Sequence, residues 1–276
     1  MKELPPSIAE KEFIRLCETQ GSRHDGRNVD QFRPLEVRKL DENNYLATLG
    51  ETKIATSVQA VPFKPSSGRQ NRGELSVQMV YMPCAAKAAL DLQINRMKMR
   101  NEDALQTLLR AANVIDGRFL LIEQYEAALH IIVRVQVIND AGGILDAAMA
   151  ASVVALSNYK VPKYKFVEGV FKKISTDDEW PDQLRIFSHA YVITFALFGK
   201  TFVADPDDRE SLYADGFVRI GCTEKNMVFA IREDGESVQL TKEVVMRLCD
   251  IAQLRAKALD SDLQTFFKDT KGLSSM

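Results

Sequence analysis

An α+β fold is what this sequence predicts, and three observations predict it. Strand-like stretches come in blocks; the helical stretches between them are too few to cross over between every strand pair, as a doubly wound parallel sheet requires; and the chain closes on one long amphipathic helix. The 276 residues suffice for one large domain or two intimately packed lobes, and 46% hydrophobic residues supply a core for either. The 36 Lys+Arg against 38 Asp+Glu give a net charge of −2, which excludes a disordered polyelectrolyte and a broadly basic coat for nucleic acid. Any contact with nucleic acid has to be a local patch.

The elements follow in order. Ser7 with Glu10 three residues on forms a capping box, and Phe13, Leu16 and Cys17 recur at helical spacing until Gly21, so a helix is expected over 7–20. Alternating apolar residues predict strands near 35–39, 44–49, 53–61 and 74–82, read as consecutive hairpin strands. Between the last two, the Gly-, Ser- and Arg-containing stretch 65–73 reads as an exposed loop. A helical pattern from Ala85 to Ala112 is expected to break at the polar run Asn95–Asn101, with strands at about 119–125 and 128–138 after it. Gly143–Asn158 reads as a helix buried against a sheet, because Ala147, Ala148, Ala150 and Ala151 let a neighbouring backbone approach closely. Strands are expected near 166–174, 190–198, 216–222, 227–232 and 237–240, then a helix from Thr241 with Val244, Leu248, Ile251, Leu259, Leu263 and Phe266 on one stripe. Each half therefore consists of several strands followed by a helix, which hints at a duplicated unit. No segment resembles a linker, so a single domain of two lobes is expected, about 21–160 and 161–276, preceded by the N-terminal helix.

No run of about 18 apolar residues occurs, and Met1–Pro6 lacks a signal peptide's apolar stretch, so the expectation is a soluble intracellular protein without a membrane partner. Cys17, Cys84, Cys222 and Cys249 lie far apart without a CxxC pair and read as buried thiols rather than a zinc site.

Four groups of residues could carry chemistry. A strand, the turn Asn139-Asp140-Ala141-Gly142-Gly143 and a helix can offer backbone N–H groups to a phosphate. Against that use, the first helical turn carries Leu145 where a cation would serve, and Asp146 already places an anion on the helix dipole. The acid-rich run 176–182 could hold a divalent metal or supply a general acid but reads as a solvated turn, and Asp205–Glu210 reads as turn and N-cap chemistry. His24, His130 and His189 are scattered, with no nucleophile motif near any of them. Basic residues concentrate at Arg69 with Arg72, and at Arg96, Lys98, Arg100 and Arg110, a spacing that suits a nucleic-acid backbone.

These parts together resemble the RNase PH-like family. Arg23-His24-Asp25-Gly26-Arg27 with Arg33 is similar to its R-x-D-G-R signature; Gly73–Val77, Met82-Pro83, Asn139–Ala148 and Val203–Pro206 extend the match over nearly the whole chain. Within the family, the similarity is greatest to non-catalytic subunits of the eukaryotic exosome ring. The resemblance implies a duplicated RNase PH fold with mixed sheets and helices packed on them. It also implies a six-membered ring with sister RNase PH-like subunits, cap subunits with RNA-binding domains, a central channel for single-stranded RNA, and a place in the nucleus, nucleolus and cytoplasm. Active members degrade RNA from its 3′ end with phosphate as the attacking group. Their glycine turn continues with Ser or Thr and then a phosphate-binding Arg, where this chain has Ile144 and Leu145. Their Glu-Asp pair and following Asp find only Asp177-Asp178, then Leu184. The implied role is a scaffold with no catalytic residues, metal or cofactor, in which Arg96, Lys98, Arg100 and Arg110 meet the RNA; the alternative is an active phosphate-dependent 3′-exoribonuclease.

Overall fold

Residues 8–19, 21–65, 72–85, 91–123, 126–167, 170–173, 182–199, 201–223, 225–234 and 241–273 are described by a computed structural model. Helix α1 (Ile8–Thr19) leads into a meander of β1 (Leu35–Lys39), β2 (Asn44–Leu49) and β3 (Thr52–Phe63). Then come β4 (Glu74–Tyr81), α2 (Asp91–Ala111), a 3₁₀ turn (Gly117–Leu120), β5 (Leu121–Glu123), β6 (Ala127–Asn139) and α3 (Ile144–Asn158). The second half contains β7 (Lys160–Val161), β8 (Tyr164–Val167), β9 (Val170–Lys173), β10 (Asp182–Gln183), β11 (Ala190–Phe198) and β12 (Thr201–Ala204). It ends with α4 (Asp208–Tyr213), β13 (Gly216–Thr223), β14 (Met227–Asp234) and α5 (Lys242–Leu273).

The α+β class holds, with a mixed six-stranded sheet in the order β1-β2-β3-β6-β4, β5 on β6, and an antiparallel sheet in the order β12-β11-β13-β14. Several details differ from the sequence expectation, among them the single strand expected near 166–174, which is instead the antiparallel pair β8 and β9. The fourth strand is no hairpin partner of the third: β6 inserts between them, antiparallel to β3 and parallel to β4, with Val77 opposite Val133. A parallel neighbour needs a crossover, and α2 supplies it. That helix also runs unbroken through 95–101. Its polar run lies mostly on the solvent side, and the core-facing Asn101 is accommodated because its amide donates to the Tyr81 hydroxyl at 3.0 Å. Residues 119–120 belong to the 3₁₀ turn rather than to a strand, and β12 escaped the sequence reading. The expected strand at 237–240 and the Ser7 cap lie outside the described residues. Of the cysteines, Cys222 is buried but Cys84 is exposed, because it falls in the turn after β4.

Helix α3 is buried from Ile144 to Leu156, since it packs against β2, β3 and β6 of one sheet and β11 of the other. Its alanines are what let both sheets close on it. Leu248, Ala252, Ala256, Leu259 and Leu263 of α5 join the same core, and α5 contacts β11 and β13. Strand β11 is buried along its whole length: Phe195 and Leu197 enter the main core, whereas Ala196 and Phe198 meet Val203, Tyr213 and Ile14 of α1 in a second cluster.

The R-x-D-G-R segment joins the N-terminal part to the second sheet. Arg23 donates from Nε to Glu210 Oε1 at 2.8 Å and from Nη2 to Oε2, and its remaining N–H groups reach the Ala204, Asp205 and Gln31 carbonyls. Both side chains are fully buried. A buried ion pair is a poor guide to net stability, but removing one partner strands the other charge and costs about 3–5 kcal/mol. We therefore expect Glu210→Gln, which keeps the shape and removes the charge, to lower unfolding stability by about 3 kcal/mol or more in urea titrations; a loss below about 1 kcal/mol would contradict the assignment.

Candidate functional site

The glycine turn between β6 and α3 is the natural place to look for an anion site, and its geometry shows what occupies it. Gly142 (φ +85°) and Gly143 (φ +70°) both adopt the left-handed conformation that glycine favours. At Gly142 a Cβ would also lie 2.6 Å from the Pro206 carbonyl oxygen, so the turn is pressed against the segment 205–207. Two of its donors are engaged: Ala141 N–H reaches Thr52 Oγ1 at 3.1 Å, and Gly142 N–H reaches Asp140 Oδ1 at 3.1 Å. Thr52 in turn donates to the Gly142 carbonyl at 2.6 Å. Arg33 is the cation closest at hand, but it donates to the Ala141 and Gly142 carbonyls at 2.9 and 3.2 Å and to both oxygens of Asp205 at 2.9 and 2.6 Å.

Asp205 is nearly inaccessible and gathers the N-terminal arginines. Besides Arg33, it accepts from Arg27 Nη1 at 3.2 Å and from the Arg33 backbone N–H at 2.8 Å. Its own backbone is held at φ +49°, an uncommon conformation for a side chain other than glycine. The sequence expectation of turn and cap chemistry at 205–210 holds for Asp207, which caps α4 in a reciprocal box with Glu210. It missed the larger role of Asp205, for which the only sequence signal was three arginines spaced four and six residues apart, with Asp25 between the first two answering chiefly Arg27.

Ile144 and Leu145 are both buried, so the position after the glycines points a leucine side chain into the core. Asp146 accepts from Thr194 Oγ1 at 2.6 Å and from Thr194 N–H at 3.0 Å. Burial pushes its carboxyl up to about 7, assisted by the charge of Asp205 and opposed by the Thr194 hydrogen bonds. Asp146 therefore clamps α3 to β11 rather than acting on an outside ligand.

His24 lies 2.9 Å from Asp207 and 3.6 Å from Glu210, an arrangement of ligand types that a metal could use. Both carboxylates already serve the α4 cap and Glu210 also binds Arg23, so the group fits its structural task better than a cation. His189 faces Asp260 at 2.6 Å and His130 faces Ser76 at 2.7 Å, so no two of the three histidines share one site. The pair Asp177-Asp178 lies outside the described residues; Asp182 falls in β10, and Leu184 is buried.

All four expected RNA-contacting residues fall on α2. At about 100° per residue, Arg100 and Arg110 lie about 40° to either side of Arg96, whereas Lys98 projects about 160° away. Arg96, Arg100 and Arg110 are accordingly exposed, and Lys98 is half-buried on the side of Leu105, Leu108 and Leu109. Arg110 is tied to the Leu75 carbonyl at 3.2 Å. Arg100 contributes to the field at the Tyr81 hydroxyl, which burial pushes up to about 12.

Comparison with known proteins decides the family. Domain 1 of the 3′ exoribonuclease family (RNase PH) matches residues 42–162, and its domain 2 matches residues 191–254. The chain belongs to that family. The family's domain 1 covers β2 to β7 and therefore most of the mixed sheet, and its domain 2 covers the antiparallel sheet and the start of α5. The chain is 25% identical over 273 residues to the exosome complex component RRP45 of Danio rerio, covering 95% of this chain and 69% of that protein. It is similarly 27% identical over 241 residues to the exosome complex component Rrp42 of Methanopyrus kandleri, covering 86% and 89%. The chain spans 62% of the rat RRP45 that it also matches. Among solved structures, the Archaeoglobus fulgidus exosome with RNA bound to the active site superposes with a TM-score of 0.80 at 22% identity, over 92% of this chain and 97% of that one. The RNase PH fold is thereby established for this member of the family.

The raised carboxyl has a measurable consequence. The native state keeps the Asp146 proton between about pH 4 and pH 7, where the unfolded chain has lost it, so this group favours folding at low pH and that contribution falls as pH rises through the window. Asp146→Asn mimics the protonated form. Its stability relative to the parent should rise from pH 4.5 to pH 7.5 in urea titrations, and a constant difference would remove the assignment.

Proposed function

We propose that the protein is a non-catalytic ring subunit of the RNA exosome, of the polymyositis/scleroderma autoantigen type. In this reading its two lobes act as one unit, and it scaffolds 3′-to-5′ RNA processing and degradation in the nucleus, nucleolus and cytoplasm. Its partners are sister RNase PH-like subunits, cap subunits with RNA-binding domains, and single-stranded RNA. One observation carries the loss of catalysis: the position where active relatives hold the phosphate-binding arginine is Leu145, buried in the core behind a turn whose Ala141 and Gly142 donors are already used. Phosphorolysis needs inorganic phosphate held in line with the scissile bond while charge develops, and an absent cation removes both positioning and electrostatic stabilisation. The purified chain should release no nucleoside diphosphate from RNA in the presence of phosphate. Phosphate-dependent release by this chain, abolished by Asp178→Asn, would instead support the active 3′-exoribonuclease.

The exposed edge of α2 is the RNA-facing surface in this proposal, with Arg96, Arg100 and Arg110 against phosphates and Lys98 at its margin. Reversing Arg96 and Arg100 to Glu together should shorten the length of RNA that the assembled ring shields from nuclease while leaving assembly intact. Shielding equal to that of the parent ring would reject the surface.

A further inference from the structure

Phe119 and Phe187 are 53% and 44% exposed, unusual for phenyl rings in a protein with ample core to bury them. They lie together, with ring centroids 5.2 Å apart at 42°, and the Arg185 guanidinium sits 4.8 Å from the centre of Phe119. The rings come from opposite halves of the chain, one from the 3₁₀ turn and the other from the segment before β11.

The backbone beneath both rings is hydrogen-bonded to the body of the protein. Phe187 N–H donates to the Val114 carbonyl at 3.0 Å, and the neighbouring Ser188 hydroxyl bonds the Ala112 carbonyl. Asp116 caps the 3₁₀ turn by accepting from Arg118 N–H at 3.0 Å, and Leu120 anchors it in the core. The turn also grips the chain just before β4: Gly73 N–H donates to the Gly117 carbonyl at 2.8 Å, and a Cβ on Gly117 would meet the Gly73 oxygen at 2.7 Å. That contact brings Arg72, an exposed residue whose charge reaches Asp116, to the platform. Arg118 is also exposed and pairs with Asp116, so Arg72 and Arg118 meet at the acid that caps the turn carrying Phe119, while Arg185 lies over the Phe119 ring.

We propose that Phe119 and Phe187, with Arg185 over one side of the Phe119 ring, form a platform for one or two bases of single-stranded RNA, with Arg72 and Arg118 placed for the adjoining phosphates. Exposed aromatic faces accept any base, and flanking cations follow the backbone, which is the chemistry of sequence-tolerant single-strand binding. Positive charge around the rings selects a polyanion over an apolar protein surface. Because the backbone beneath is already fixed, little ordering entropy is lost on binding. This platform is separate from the α2 surface but rests on the same reading that the protein handles RNA.

The test is fluorescence anisotropy of a labelled 20-nucleotide oligo(A) with the full chain, alongside a duplex of equal length. Replacing both Phe119 and Phe187 by Ala should weaken oligo(A) binding about tenfold or more and duplex binding far less. Replacing both by Trp should restore or strengthen it. If the alanine pair melts early, Arg72→Glu with Arg185→Glu on the exposed surface gives the same reading, again as a loss of single-strand affinity. Parent-like oligo(A) affinity in folded variants, when Arg96→Glu with Arg100→Glu does weaken binding, overturns the platform alone. Unchanged RNA affinity with lost capture of a cap subunit makes the patch a protein interface and also overturns it. A parent chain that binds no oligo(A) overturns both this platform and the RNA-facing reading of α2.

Discussion

Asp205 is the constraint on which the rest of the molecule depends. Its carboxylate takes donors from Arg33 and Arg27, its backbone carbonyl takes donors from Arg23 and Arg27, and Arg33 passes the connection on to the glycine turn before α3. Burying a carboxylate is costly unless donors surround it, and the guanidinium groups likewise need acceptors to be withdrawn from water. The signature segment is therefore best understood as a fastening between the N-terminal part of the chain and the segment 204–210 beside the second sheet. It also holds the glycine turn in place: Arg33 and the pressed Gly142 require the turn whatever follows it in sequence.

The pattern separates two kinds of glycine turn that look alike in sequence. Where a cation and open N–H groups follow the glycines, a turn can bind phosphate. In this protein the next two side chains turn inward, Asp146 reaches across to Thr194, and the space is given to packing. Because α3 is buried between two sheets, any loosening of its first turn would be felt in both.

Much of the fold was legible from periodicity. Strands β1, β2, β11 and β13 alternate or run apolar over the lengths expected, and α3 and α5 announce themselves by alanines and by a clean stripe. Pairing was not legible, because alternation in β4 reports one buried face and says nothing about which strand lies beside it. The apparent break in α2 arose from Asn101, a polar residue at a core position whose partner, Tyr81, is twenty residues away in sequence. The absent cation at Leu145 was readable from a single position, but the reach of Asp205 was not, since its partners lie about 170 residues upstream. The Phe119–Phe187 pair was similarly hidden, with only the neighbouring Arg118 and Arg185 as a signal.

The insertion of β6 between β3 and β4 also governs how the chain is made. Until residue 139 has been synthesised, the β1-β2-β3 meander has a bare edge and β4 has no neighbour in the sheet. At about 5–20 residues per second, the stretch from Phe63 to Asn139 takes roughly 4–15 s to emerge, far longer than local strands need to pair. During those seconds the nascent protein presents an unpaired apolar strand edge, and the arginines of its signature segment wait still longer for Asp205. Completion of the mixed sheet is thus a late event in synthesis, set by the position of β6 in the chain.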